Sequence, residues 1–394
     1  MRSIVAASVL CAAVLACSSS DPTPASTGTA RSAIIKGAAS DASQDAAILL
    51  AYYDAASGQA GGCSGTMLSP RIVLTARHCV SQTDESSACN AEGKTLAGGK
   101  VYADHKPTSL FVFTGITRPD FSSGRVTPQG TGQKIVTDGA KTMCNHDVAL
   151  LVLAEPVAGA VIAPVRFSGP PEVGEKITSV GWGVTEKTQE PTTRQQRADV
   201  PVLVVGPDTN AMIANGEFIV GESICSGDSG GPAFAASGAV VGVVSRGGNG
   251  KAGGNPSDAC VGVQTRNIYS HPAAFKDLID SAFAETGEEP WIEGQPDPRL
   301  KKGKEACGEA AECRSNACLA VSGGNQCAPV DCTTDACPDG FQCGDANGAK
   351  ACVAVPPATV TKTGCQTGGG SSSGSLFGLV LAAAFVLLRR KKST

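Results

Sequence analysis

Short apolar runs separated by turn residues fill residues 34–286 and limit what this part of the chain can fold into. The runs are three to six residues long, for example Ile72–Leu74, Val148–Leu153, Val200–Val205 and Val240–Val244. Runs of this length, bounded by Gly, Pro, Asn or Asp, are typical of strands rather than helices. Aromatic residues make up 4% of the chain and Gly numbers 48, which also favours strands joined by many turns.

One helix is predicted near the end of this stretch. Ser270 can cap it, Pro272 fits its first turn, and an apolar face is formed by Phe275, Leu278, Ile279 and Phe283. A domain of roughly 250 residues is long enough to bury a substantial core. We therefore expect a β-rich domain at 34–286 that ends in a helix.

A charged, proline-rich linker at 287–302 is followed by a cysteine-rich block at 303–355. Its cysteines are spaced by 6, 5 and 9 residues and then by 5, 6 and 9, giving two units 25 residues apart: Cys307, Cys313, Cys318, Cys327, Cys332, Cys337, Cys343 and Cys352. Internal duplication is the simplest interpretation. The block contains no His and no Cys-x-x-Cys pair, so disulfides are favoured over zinc. Their pairing stays open, because eight cysteines allow about a hundred connectivities.

The overall composition indicates export and argues against nucleic acid as a partner. Seventeen cysteines are typical of an oxidising compartment, and the formal net charge is −4. Basic residues form a block only at the extreme C-terminus, whereas nucleic-acid binding requires a basic surface.

Both ends of the chain resemble export or anchoring signals. Residues 1–17 combine Arg2 with an apolar run too short to span a bilayer, and they end in Val-Leu-Ala-Cys, which resembles a bacterial lipobox with Cys17 as the lipidated residue. An ordinary cleaved signal is the alternative. Residues 18–33 are predicted to be a linker or propeptide, because small residues and Pro dominate them.

At the other end, a Gly/Ser linker at 356–375 precedes an apolar segment with a basic tail at 376–394. Together with Cys365, this tail resembles the myxobacterial C-terminal sorting signal. A marginal single-span anchor is the alternative. Either interpretation places this end at a membrane.

The strongest chemical signal is the string Cys-Ser-Gly-Asp-Ser-Gly-Gly-Pro at 225–232. A nucleophilic Ser needs an exposed Oγ, with backbone N–H groups directed at the developing oxyanion, and flanking glycines allow the tight turn that this requires. The string resembles the nucleophile loop of trypsin/chymotrypsin-like serine proteases. That resemblance implies Ser229 as nucleophile and the N–H groups of Gly227 and Ser229 as the oxyanion hole.

The segment Leu-Thr-Ala-Arg-His-Cys at 74–79 resembles the histidine loop of the same family. The resemblance implies His78 as the general base and a Cys63–Cys79 disulfide that holds its loop. Arg77 departs from the family, which usually has a small residue there. We expect this departure to affect the surface of the loop rather than the imidazole.

The segment Asp-Val-Ala-Leu-Leu at 147–151 resembles the family's aspartate strand, and the chain order His, Asp, Ser is also that of the family. The resemblance implies Asp147 as the residue that orients His78. His146 is a rival base, disfavoured because a side chain next to Asp147 would point away from it. The interval between His78 and Asp147 is longer than usual, which predicts a surface insertion around 88–131, and Cys89 and Cys144 are candidates for a disulfide that holds it.

Other matches cover most of residues 34–286 and imply a substrate-binding set of Ser223, Ser245, Gly247 and Gly262, with a Cys225–Cys260 disulfide closing the rim. A pocket with Ser223 as its floor implies selection of bulky apolar or aromatic groups rather than Arg or Lys. The neighbouring Glu222 could shift this register and supply a carboxylate. Arg246 stands where a Trp is usual, which suggests some preference for acidic or polar groups.

The sequence Ile-Ile-Lys-Gly at 34–37 resembles the family's activated N-terminus. It implies a cut after Ala33 by an activating protease, with the new amine of Ile34 pairing with Asp228. The cut would sever any lipid tether at Cys17.

The resemblance implies two antiparallel six-stranded β-barrels, followed by the small disulfide-rich repeat. It further implies a secreted or surface-anchored serine endopeptidase of the bacterial cell envelope, acting on protein or peptide substrates without metal or cofactor. A non-catalytic adhesion protein on the same scaffold is the alternative from another class. A third interpretation assigns the main function to the Cys-rich repeat, with the protease processing only its own chain.

Overall fold

The computed structural model describes residues 34–251, 255, 257–346 and 349–356. The predicted signal, Cys17, the propeptide region and the C-terminal apolar segment lie outside these residues. Among the described residues, no helix combines the length and hydrophobicity needed to cross a bilayer.

The described part of the chain is built mainly of short antiparallel strands. In chain order they are β1 Ala38–Ala39, β2 Ala47–Asp54, β3 Gln59–Ser69, β4 Ile72–Thr75, β5 Ser81–Thr83, β6 Ser87–Cys89, β7 Thr95–Gly98, β8 Val101–Asp104, β9 Leu110–Phe113, β10 Gly130–Val136 and β11 Ala149–Leu153. They continue with β12 Lys176–Gly181, β13 Gln195–Val205, β14 Glu217–Val220, β15 Pro232–Phe234, β16 Val240–Gly248, β17 Arg266–Ser270, β18 Cys318–Val321, β19 Gly324–Cys327, β20 Phe341–Ala346 and β21 Ala349–Ala354.

Two six-stranded barrels form the main domain, as predicted. The first closes in the order β10-β11-β4-β3-β2-β9. The second runs β13-β12-β15-β16-β17-β14 and closes because the long strand β13 pairs with β12 over its first part and with β14 over its last. Strand β1 joins the second barrel along β13. The apolar runs seen in the sequence become the buried strands of both barrels.

The predicted helix is present as α1, Lys276–Thr286, and its buried Ile279, Ala282 and Phe283 pack on the first barrel. Its start differs from the prediction. Ser270 is the last residue of β17, and a short 3-10 turn at Pro272–Phe275 precedes the helix. The side chain of His271 accepts the N–H of Ala274 and so caps this turn.

The stretch predicted as a linker packs on the barrels. Trp291 and Glu293 exchange backbone hydrogen bonds with Val165, and the Glu293 carboxylate forms an ion pair with Arg166. Farther along, Arg299 donates to the carbonyl of Ala160. These contacts fix the start of the Cys-rich module, residues 303–355, to the protease-like domain.

Each unit of the Cys-rich module carries one hairpin, β18–β19 or β20–β21, and two disulfides. The first cysteine pairs with the third and the second with the fourth in both units: Cys307–Cys318, Cys313–Cys327, Cys332–Cys343 and Cys337–Cys352. The shared pairing supports internal duplication.

Candidate active site

His78 lies on a short 3-10 turn, Arg77–Cys79, that follows the buried strand β4. The expected Cys63–Cys79 disulfide ties this turn to β3, so that the imidazole is held at the junction of the two barrels. Arg77 differs from expectation because it is only 3% exposed. Its guanidinium donates to Ser81 and forms an ion pair with Asp104 at 2.7 Å, beneath the loop rather than on its surface.

Asp147 precedes β11 and is buried against His78. Its Oδ2 lies 2.9 Å from His78 Nδ1, and its Oδ1 accepts the backbone N–H of His78 at 3.0 Å. The hydroxyl of Ser245 donates to the same carboxylate at 2.6 Å. The carboxylate therefore holds both the orientation and the Nδ1 proton of the imidazole.

Electrostatics stabilise this pair as an ion pair. Burial on its own would lower the pKa of His78, but the charge and hydrogen bond of Asp147 outweigh burial and raise it. Burial would likewise raise the pKa of Asp147, yet the charge and hydrogen bond of His78 and the Ser245 hydroxyl hold it below its usual value. The arrangement favours an imidazolium, the state that a general base reaches when it accepts a proton.

Ser229 borders the same cleft as His78, in the loop between β14 and β15. Gly227 has φ +95°, a left-handed conformation that glycine adopts readily. Among the described residues, no protein group accepts the N–H of Gly227 or of Ser229. Ser64 on β3 fixes the loop, because its N–H donates to the Ser229 carbonyl and its hydroxyl donates to that of Gly227. Two oriented donors are thus left for a ligand oxygen.

Asp228 is fully buried and accepts the N–H groups of Gly183 and Cys225, each at 2.8 Å. Burial raises its pKa to about 7. Ile34 and Ile35 are also fully buried, and Ile35 packs against Cys225 and Cys260. Those two cysteines form the expected rim disulfide.

Of the predicted pocket residues, Ser245 and Gly247 line the cleft, whereas Ser223 lies buried behind it. Gly262 lies outside the cleft: it is exposed, and its N–H donates to Glu222. Asn267 on β17 stands opposite Gly247 instead. The loop after Cys260 is longer than the sequence match assumed, so that the facing strand begins only at Arg266.

Asn267 fills part of the pocket. A Cβ at Gly247 would come within 2.2 Å of Asn267 Oδ1, so the amide lies directly against this glycine. Its Nδ2 donates to the Gly221 carbonyl at 2.9 Å and to Ser223 Oγ at 3.3 Å. Sequence reasoning missed this residue because the strand register was read five residues too early.

Glu222 and Arg246, the two charged residues that the sequence placed near the pocket, are both paired within the protein. Glu222 forms an ion pair with Lys36 at 2.7 Å, and the carboxylate lies 3.5 Å from the guanidinium of Arg197. Arg246 is bound to buried Glu217 at 2.6 Å, which corrects the expectation that it attracts acidic groups. Glu217 lies 29 residues before Arg246 in the chain, so no local sequence pattern indicates this ion pair.

His146 and the clustered cysteines have bonding partners of their own. His146 points away from Asp147 and bonds to Asp138 at 2.6 Å. His78 lies near Cys63 and Cys79, but these two sulfurs are joined in a disulfide and are not thiolate ligands. The same holds for the close cysteines of the Cys-rich module.

Comparisons with known proteins identify the family of the two-barrel domain. The family model described as Trypsin matches residues 51–268. The chain is 30% identical over 203 residues to Trypsin of Simulium vittatum, a match that covers 47% of this chain and 70% of that protein. It is 26% identical over 229 residues to Trypsin of Saccharopolyspora erythraea, covering 55% of this chain and 85% of that one.

Two further similarities are with a phenoloxidase-activating factor and with a solved structure. The chain is 29% identical to Phenoloxidase-activating factor 3 of Holotrichia diomphalia, covering 47% of this chain and 56% of that protein. The structure of neuropsin, a serine protease expressed in the limbic system of mouse brain, aligns at 20% identity with a TM-score of 0.45. This alignment covers 64% of this chain and 100% of the neuropsin chain.

Proposed function

Because the chain belongs to the trypsin family of serine proteases, we propose that it is a serine endopeptidase in which Ser229, His78 and Asp147 act together. His78 accepts the proton of the Ser229 hydroxyl as Oγ attacks the scissile carbonyl, and it later donates that proton to the leaving amine. Asp147 holds the imidazole tautomer and stabilises the imidazolium. Water then releases the acyl group by the same steps.

The N–H groups of Gly227 and Ser229 stabilise the oxyanion formed during this attack. Loss of one such donor costs about 3 kcal/mol in other acyl-transfer enzymes. Substrate backbone binds along residues 245–248, where β16 runs beyond the end of β15 and leaves one edge open. An extended peptide added to this edge would lie across Ser229.

The observation that carries this proposal is the pairing of buried Asp147 with His78, in one cleft with a loop whose two N–H groups have no acceptor within the described part of the chain. Labelling with a fluorophosphonate probe tests it, followed by mapping of the modified peptide. We expect label on Ser229, its loss in Ser229→Ala, and its retention in Ser226→Ala, a control in the same loop. Correctly folded mature protein that takes no label would favour the adhesion alternative.

Activation is proposed to follow a cut between Ala33 and Ile34. Asp228 supports this step, because a buried carboxylate whose pKa is raised to about 7 gains most from an ammonium partner. The complete burial of Ile34 supports it as well, since the segment already lies inside the domain. Amino-terminal sequencing of active enzyme should start at Ile34, and an upstream start would refute this route.

The primary pocket is proposed to accept small uncharged side chains and to reject Arg and Lys. Asn267 narrows the space in front of Ser223, and Glu222 is engaged by Lys36, so that neither bulk nor positive charge is accommodated. This revises the sequence-based expectation of bulky groups.

Cleavage profiling of a peptide library tests this specificity. Asn267→Gly should open the pocket and shift the preference from Ala towards Leu and Phe. Asn210→Gly, an exposed change on the same barrel, serves as control. A wild-type enzyme that prefers Phe, or that cleaves after Arg, would contradict the proposed pocket.

Secretion is proposed from the seven disulfides among the described residues, since such bonds persist in oxidising compartments. Attachment to the bacterial envelope through Cys17 or through residues 376–394 belongs to the same proposal. Membrane fractionation of full-length protein and of a form lacking residues 376–394 tests the second anchor.

A further inference from the structure

The insertion between His78 and Asp147 forms a second wall of the candidate catalytic cleft. The cleft encloses about 510 Å³. Residues 83–87, which lead into the predicted insertion at 88–131, line one side of it, and residues 244–248 and 266–268 of the second barrel line the other. We call the first side the insertion wall and the second side the barrel wall. A peptide bound along β16 would lie between them.

The insertion wall is held in place by several independent contacts. Strand β5 pairs with β8, and the buried guanidinium of Arg77 ties both strands together through Ser81 and Asp104. The Cys89–Cys144 disulfide fixes the far end of the wall close to Asp147. A wall anchored in this way can present a side chain at a constant position, which selective recognition requires.

Each wall carries one charged residue that is already engaged. On the insertion wall, Asp84 accepts the backbone N–H of Lys100 at 3.0 Å and the hydroxyl of Tyr102 at 2.8 Å. On the barrel wall, Arg246 is paired with Glu217. These charges are neutralised or satisfied within the protein and offer little to a substrate.

Each wall also carries one charged residue with no such partner. Glu85 is exposed on the insertion wall, and Arg266 is exposed on the barrel wall next to Gly248. Within the part of the chain that the structure describes, neither side chain forms a hydrogen bond or an ion pair. Opposite uncompensated charges therefore face the cleft from its two sides.

We propose that Glu85 and Arg266 select substrates by charge, favouring an extended peptide with a basic side chain towards the insertion wall and an acidic one towards the barrel wall. Successive side chains of an extended segment point to opposite sides, so that one peptide can meet both residues. This inference rests on the proposed protease activity and specifies its substrate class.

A fluorogenic peptide library tests the inference on the mature enzyme. Each position on the acyl side of the scissile bond carries Lys, Glu or Gln in turn. We expect kcat/KM to favour Glu at one position and Lys at another by about fivefold each over Gln, as for partly exposed ion pairs. Salt should weaken both preferences, because exposed charges are screened.

Charge reversal identifies the residue responsible for each preference. Arg266→Glu should invert the preference for Glu and leave that for Lys, whereas Glu85→Lys should do the opposite. Arg125→Glu and Glu92→Lys are matched controls, because both residues are exposed and lie outside the cleft. Both controls should keep the wild-type profile.

The outcomes separate this inference from the proposed function. Fluorophosphonate labelling confirms that each variant retains a folded active site and measures its concentration. Full labelling and normal cleavage of uncharged peptides, combined with no charge preference or with unchanged preferences in both reversals, would overturn the inference alone. Loss of labelling in the wild-type enzyme would overturn the proposed function instead.

Discussion

In the two barrels, buried apolar side chains form extended clusters, whereas among the described residues of the Cys-rich module burial is limited to a few residues, including Cys313, Cys327, Ala328 and Cys332. Three of these four are disulfide-bonded. A unit of this size gains too little from burial to offset its conformational entropy without covalent links. The barrels have three disulfides in a much longer chain, and one of these, Cys225–Cys260, borders the cleft.

Disulfides have a different role in each region. In the module they replace a core, so the fold should depend on them. In the barrels they fix the loops of the candidate site: Cys63–Cys79 holds His78, and Cys225–Cys260 holds the loop before Ser229. The core of the barrels is already continuous from β4 and β11 to α1.

Activity should depend most strongly on three side chains of the barrels. Ser229→Ala or His78→Ala should each reduce kcat by about 10⁶, and the double variant should be scarcely worse, because the residues act as a unit. Asp147→Asn should cost about 10⁴, since it upsets the tautomer but leaves the base. Active-site-titrated kinetics on a short peptide measures this. Activity that survives Ser229→Ala and fails with a chelator would contradict the assignment.

A second prediction concerns the stability of the uncleaved barrels. Burial raises the pKa of Asp228 to about 7, whereas an unfolded Asp titrates near ~3.9. The folded state therefore binds the additional proton between these values, and the free energy of unfolding falls by up to roughly 4 kcal/mol as pH rises through this window. The loss is complete once the pH exceeds the folded pKa.

Urea unfolding of the Ser229→Ala precursor, with and without Asp228→Asn, isolates this contribution. The difference between the two proteins should grow from about pH 4 to about pH 7 in the stated direction, since only Asp228 titrates differently. A difference that is constant with pH would show that Asp228 already has a charged partner in the precursor.

Sequence patterns predicted the parts of this molecule that depend on local information. Local sequence or a fixed spacing encodes the strands at 72–75 and 149–153, and also the disulfide that holds His78. The two-barrel architecture was predicted correctly because the motifs appear in the family's order.

Contacts between segments that lie far apart in the chain were not predicted. Arg246 looked free because Glu217 lies on another strand, and Arg77 looked superficial because Asp104 lies 27 residues further along the chain, inside the predicted insertion. Asn267 was missed because loop length, which sequence alone constrains weakly, sets the register of β17. The stretch at 288–302 looked like a linker because its partners, such as Arg166, are far away in the chain.

The second unit of the Cys-rich module should depend on its disulfides for stability. Replacing Cys332 and Cys343 together by Ser opens a loop of the second unit and should destabilise that unit by about 2–4 kcal/mol. Since its remaining buried apolar surface is small, the unit should unfold at physiological temperature. Limited proteolysis would then cut within 332–352 while leaving residues 34–286 intact. Resistance equal to that of the wild type would indicate a hidden source of stability.

The smallest expected effect tests whether the two regions are functionally independent. Deleting residues 303–355 removes the module but keeps the stretch at 288–302, whose contacts with Arg166, Val165 and Ala160 belong to the barrels. The described contacts of the module reach this stretch through Arg314, which binds the carbonyls of Pro298 and Leu300, and through Glu312, which pairs with Lys301. They do not reach His78 or Ser229. Turnover of a short peptide should therefore stay within about twofold of the full chain, as expected for distant sites.

Cleavage of a large protein substrate, or retention at the cell surface, should change instead if the module binds a partner. A fall of about tenfold in kcat for the short peptide, equivalent to ~1.4 kcal/mol, would show that the module contributes to the active site. Adding the separate module back in trans would then reveal whether that contribution needs the covalent link.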